Sequence, residues 1–168
     1  ARGQQLRRVY GERDLVIAEA LASGAWEGLD APGLAAIVSA CVYESRGDGA
    51  SALPAGLGPA SRRAWEETSR VAARVARAEA AAGVDASPPP DPALMAACSA
   101  WAHGSTLATA LADSGIAGGD FVRWTRQVID ALGQIESVDP AGQVGASAKR
   151  ARSLLARGVV AWSGVEER

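Results

Sequence analysis

The sequence is poor in the residues that most often announce chemistry. Its 168 residues include one histidine (His103), two cysteines (Cys41 and Cys98), one lysine (Lys149) and few aromatics: five Trp, two Tyr and one Phe. One histidine and two cysteines far apart in sequence supply no recognisable metal-ligand set. No GxxxxGK(S/T) phosphate loop, HExxH, CxxC pair or GxSxG elbow occurs, and no Cys or Ser stands in an obvious nucleophile context, so no catalytic residue is assigned. His103, beside Gly104, reads as a helix-end residue. No apolar run reaches the roughly 18 to 20 residues that cross a bilayer, so no membrane partner is expected. Sixteen arginines and the single lysine face 19 acids, for a net charge of −2. Any nucleic-acid surface must therefore be a local patch and not a whole-protein field. The start Ala1-Arg2-Gly3, without Met or a signal-peptide succession, reads as that of an excised fragment. Both cysteines lie in apolar helical stretches, which suits a reduced, cytoplasmic setting.

What the chain has in abundance is alanine, 38 of 168 residues. With so few aromatics, that balance favours close-packed helices over a sandwich or barrel. The pattern predicts an all-α, up-and-down bundle of about six to seven helices in a single domain over residues 1–168. A first helix runs from about Gly11 to Ser23-Gly24, with Trp26 folding back onto it. Asp30 is a good N-cap with Pro32 in the first turn, and the stretch Leu34 to Glu44 is apolar almost all round, as a central helix would be. Residues 45–61 read as a flexible loop, followed by a helix from Arg62 to Ala82. A proline-rich loop covers residues 83–92, and Asp91-Pro92 restarts a helix. Two short helices divide at Gly104, the second capped by Ser105. A long helix spans about Phe121 to Ser137, another runs from Ala141 to Ala156, and Val159, Val160 and Trp162 form an apolar tail.

The long helix after Asp120 is the most informative segment. At 3.6 residues per turn, Phe121, Trp124, Val128, Leu132 and Ile135 make one stripe, while Arg123, Arg126, Gln127, Asp130 and Gln134 make another. The polar stripe is either a solvated outer face or a nucleic-acid surface, in which arginine binds phosphate or stacks on a base and Gln or Asp bonds base edges. By pattern alone the solvated face is favoured. The same choice applies to Arg63, Arg70, Arg74 and Arg77, which share their helix with Glu66, Glu67 and Glu79, and to Lys149, Arg150, Arg152 and Arg157.

Three segments in order resemble the DSHCT domain, the C-terminal helical domain of superkiller-like DExH-box RNA helicases, and most of all its actinobacterial HelY-type members. The first is GQQLRRVYGERDLVIAEALASGAWEGLDAPGLAAIVSACVYESR, the second WAHGSTLATALADSGIAGGDFVRWTRQVIDALGQI and the third AKRARSLLARGVVAWSGV. In that family the domain is a helical bundle packed on two RecA-like motor domains, where it helps enclose the channel for single-stranded RNA. The helix around 121–137 resembles the family's ratchet helix, whose polar stripe faces RNA bases. The resemblance thus makes Arg123, Arg126, Gln127 and Asp130 the expected RNA contacts. The family often has a basic residue where Gln127 stands and a glutamate where Asp130 stands, so this pair is shorter and less charged.

The resemblance also implies a division of labour. ATP and Mg2+ are expected on the motor domains of the same polypeptide, because this chain lacks the motifs that hold them. The expected function is an accessory role in RNA binding and translocation by an ATP-dependent helicase. The competing reading is an all-α protein-interaction module without nucleic-acid contact, marked by an apolar patch involving Trp26, Trp101 or Trp162 left exposed.

Overall fold

The computed structural model describes residues 14–47 and 49–162, and among these every regular element is helical. In chain order they are α1 (Asp14–Ala22), α2 (Ala31–Val42), α3 (Pro59–Ala81), a 3-10 turn (Pro92–Leu94), α4 (Met95–Ala102), α5 (Leu107–Leu111), α6 (Gly118–Val138), α7 (Gln143–Leu155) and α8 (Gly158–Trp162). The expected all-α bundle is present. The added helix is α8, which like α5 is a five-residue piece that packing, not local propensity, holds in shape.

The bundle is organised around α2. The Asp30 carboxylate accepts from Gly33 N at 2.8 Å, and Pro32 occupies the first turn, so the helix starts where cap and proline place it. Every residue of α2 except Pro32 and Val42 is buried. Its small side chains let α3, α4, α6 and α7 approach its flanks. At Gly33 an added Cβ would lie 2.8 Å from Asp30 Oδ1 and 3.1 Å from Ser61 Oγ, so the start of α3 crosses here. Cys98 on α4 meets α2 with Sγ 3.6 Å from Ala35 O, and complete burial pushes its thiol up to about 12. Cys41 and Cys98 are both buried thiols that form no disulfide with each other.

Trp26 reaches further than the first helix. Its indole N donates to Thr68 Oγ1 on α3 at 2.9 Å, tying the α1–α2 connection to a helix 42 positions away. Helix α3 itself begins three residues before Arg62, because Pro59 stands just inside its start. Residues 83–91 hold no regular element, as the prolines dictate.

Helices α6 and α7 form a hairpin whose corner needs glycine. The Asp139 carboxylate accepts from Gly145 N at 3.1 Å, and a Cβ on Gly145 would collide with the Asp139 carbonyl. Further along, Arg152 crosses Gly133 and pairs with Glu136 at 2.6 Å. The start of α7 is anchored to the α1–α2 connection, where Gln143 Nε2 and Ser147 Oγ both donate to Leu29 O at 3.0 Å. The expected apolar tail is instead the short helix α8. Before it, Arg157 donates to Trp101 O at 2.6 Å and Ser105 O at 2.7 Å, with its guanidinium 3.7 Å from the Trp101 ring centroid.

Candidate nucleic-acid interface

Helix α6 sets out the candidate surface. Gly115, at φ +67, makes the turn that leads into it, and the two glycines expected to precede the helix form its first residues. Asp120 lies in the first turn, where a carboxylate is favoured by the helix dipole. One face of the helix is committed to the core: Phe121, Thr125, Val128, Leu132 and Ile135 are all buried, and α6 packs on α2 and α7.

That buried list refines the sequence pattern at one place. Trp124, expected on the apolar stripe, packs against the core but is only partly buried, and Thr125 adds a fully buried position beside it. The indole meets Tyr43, the C-cap of α2, with centroids 5.3 Å apart and planes at 73°. Burial, followed by the nearby carboxylates of Asp91 and Asp120, raises the Tyr43 hydroxyl above its usual 10.0, with Arg46 acting the other way. Tyr43 had no signal of its own in the sequence. Its role comes from a contact between helices far apart along the chain.

The predicted contacts separate into a row and an outlier. Arg123, Gln127 and Asp130 are exposed on one side of α6, and half-buried Gln134 extends the line. The row from Arg123 to Gln134 runs for about 16 Å at 1.5 Å per residue. Arg123 pairs with Asp120 at 3.1 Å and lies 5.2 Å from the Trp124 centroid, so it is loosely oriented. Arg126 points to the flank. It is half-buried and donates through Nε to Val160 O at 3.3 Å, holding α8 against α6.

Beyond Gln134 the row runs into a shallow apolar groove between α1 and α6, lined by Asp14, Ile17, Leu21, Ala131, Gln134 and Val138. Asp14 is the polar exception. Burial pushes its carboxyl up to about 6, and its Oδ2 has no hydrogen-bond partner among the described residues. Of the three tryptophans that a protein-docking patch was expected to expose, Trp26 and Trp101 are only 1% and 3% exposed, whereas Trp162 is 80% exposed at the end of α8. His103 caps α4 and is exposed, with Nδ1 2.8 Å from Ser99 O.

The sequence has no phosphate loop, and no three His, Cys, Asp or Glu side chains gather among the described residues. Among those residues no helix is long and apolar enough to cross a membrane.

A stable helical bundle presenting one polar helix row is a form shared by many binding domains, and comparison with known proteins narrows it. The family described as the DSHCT (NUC185) domain matches residues 1–163. The chain belongs to the DSHCT family. It is 41% identical to the protein named "Probable helicase HelY" of Mycobacterium tuberculosis (strain H37Rv), over 95% of this chain and 19% of the relative. It is 40% identical to the protein of the same name from Mycobacterium leprae, over 95% of this chain and 18% of the relative. The chain thus spans less than a fifth of the length of these relatives.

Proposed function

We propose that this domain is the accessory, strand-guiding part of an ATP-dependent RNA helicase, and that α6 lines the path of single-stranded RNA. The observation that carries this reading is the exposed row Arg123, Gln127 and Asp130 on a helix whose opposite face is locked in the core. A guanidinium can bind phosphate or a base face, while an amide and a carboxylate can bond base edges. Gln127 and Asp130 have no side-chain partner among the described residues, so neither must break a bond to bind. Arg126 serves the row from its flank by holding α8 in place. The family membership and the helicase names of the relatives support the reading.

The division of labour follows. RecA-like motor domains of the same polypeptide would bind ATP and Mg2+ and pull the strand, in the cytoplasm. The α6 row offers contacts weak enough for the strand to advance, because contacts that tolerate any base create no deep trap. Net charge −2 is compatible with this role, since most phosphate attraction can come from the motor.

The test is made in the motor-bearing polypeptide. Arg123→Ala and Asp130→Ala should each slow unwinding of a duplex with a single-stranded RNA tail, with thermal unfolding unchanged. RNA crosslinks should fall on residues 121–135. Full unwinding by both variants, with crosslinks elsewhere, would leave the exposed end of α8 around Trp162 as the better surface and favour the protein-docking reading.

A further inference from the structure

Trp124 sits at the border of the buried face of α6. It packs in part against the core and stays partly exposed beside the polar row, while Thr125 next to it is fully buried. It is held from two directions. Tyr43 meets it nearly edge-on at 5.3 Å, and the Arg123 guanidinium stands 5.2 Å from its centroid.

The two partners differ in firmness. Tyr43 is set by the end of α2, where its N donates to Ser39 O at 2.8 Å, and the chain just beyond is pinned by Ser45 N donating to Asp91 Oδ2 at 3.1 Å. Asp91 N in turn donates to Ala40 O at 2.8 Å, so the brace is part of the bundle. Arg123 is held by one exposed ion pair to Asp120, a kind of bond that yields readily to a competing anion. One contact of the indole is therefore rigid and the other displaceable. Gln127 follows at about 4.5 Å along the axis, within reach of the edge of a base lying at Trp124, and Asp130 continues the row at about 9 Å.

We propose that Trp124, braced by Tyr43, is a stacking platform for one unpaired nucleobase, and that Arg123 swings from the indole to the strand's phosphate as the base takes its place. This rests on the nucleic-acid reading of α6 and adds a base-face contact to a row that otherwise meets edges and phosphates. Stacking tolerates any base, because each has a π-face, and it does not depend on the 2′-hydroxyl. A platform of this kind would grip successive bases without selecting among them.

The experiment measures binding of single-stranded oligomers to the motor-bearing polypeptide. Trp124→Ala should weaken binding of an intact RNA strand about tenfold and leave binding of an abasic strand of the same length unchanged. Trp124→Phe, which keeps a flat ring against Tyr43, should restore most of the affinity. A deoxy strand should show the same loss as RNA. Equal losses on intact and abasic strands, no rescue by Phe, or a loss confined to RNA would each overturn the platform. Gln127→Ala and Asp130→Ala separate this proposal from the reading beneath it. If they weaken binding of the intact strand while Trp124→Ala does not, the polar row stands and the platform falls; if none of the three has an effect, both fall.

Discussion

Helices α3 and α6 are the two longest among the described residues, with 23 and 21 residues, and each carries one buried stripe and one arginine-bearing face. In sequence they look alike. In the structure they differ in what surrounds their polar sides. On α3, Arg62, Arg63, Arg70, Arg74 and Arg77 are all exposed, and the one ion pair they form among the described residues, Arg70 to Glu66 at 3.8 Å, is more than half exposed at both ends. Such a pair contributes about 0–1 kcal/mol. On α6 the polar side is flanked by an aromatic brace from α2 and by α8, so its side chains border other elements. The difference separates a solvated face from a constructed surface, and it lies in neighbours that helical periodicity does not encode.

The largest expected effect probes the depth of that construction. Leu132 is fully buried on α6, and Leu132→Ala should cost about 2–5 kcal/mol in denaturant unfolding of this chain. Arg74→Ala on the open face of α3 should stay within about 0.5 kcal/mol. Comparable losses from the two would erase the contrast.

Arginine itself gives a sharper version. Arg157 bonds two carbonyls and covers Trp101, so Arg157→Ala should cost about 2–3 kcal/mol, whereas Arg74 has no such partners. Lysine at 157 should recover little, because an ammonium that bonded Trp101 O and Ser105 O would have no planar group left to lie over the Trp101 ring. Full recovery in an unfolding curve would mean that charge alone matters there.

The sequence was most legible where chemistry is local. Asp30 with Pro32, and Asp91 with Pro92, mark helix starts that the structure confirms, because a cap and a fixed φ act within one turn. The all-round apolar character of α2 likewise announced its central place. Neighbouring candidates were harder to tell apart. Thr106, not Ser105, caps α5, since either hydroxyl could take the position and only the backbone direction decides. The full burial of Thr125 beside a partly buried Trp124 has a tertiary cause: α2 and α7 pack on α6 where a small side chain fits, and Tyr43 meets the indole at the border of the core. For the polar row, spacing gave the positions, but the attachment of Arg126 to α8 required the fold.

A smaller effect concerns the far end of α6, where the polar row gives way to the groove beside Asp14. The Asp14 pKa is about 6 in the folded chain, against an ordinary 3.8. The folded state therefore holds a proton that the unfolded state releases, and stability falls as pH rises from about 4 to about 6. Asp14→Asn should raise the melting temperature near neutral pH and leave it almost unchanged below about pH 4. Water reaching the rest of the carboxyl limits the gain. An equal shift at both pH values would show that burial of the charge is not its source.

The smallest expected effect tests the buried position of Thr125. Thr125 is fully buried, and its Oγ1 has no hydrogen-bond partner among the described residues. Valine replaces the hydroxyl with a methyl of nearly the same shape, so Thr125→Val removes an unmatched polar atom without opening a cavity. Desolvating such a group costs about 1–3 kcal/mol, but part of that is recovered wherever the helix backbone can accept weakly from the hydroxyl. The variant should accordingly be stabilised by no more than about 1 kcal/mol, with strand binding at Trp124 unchanged. Destabilisation would show that the hydroxyl is bonded in solution, and α6 would then present its core face by a polar contact as well as by packing.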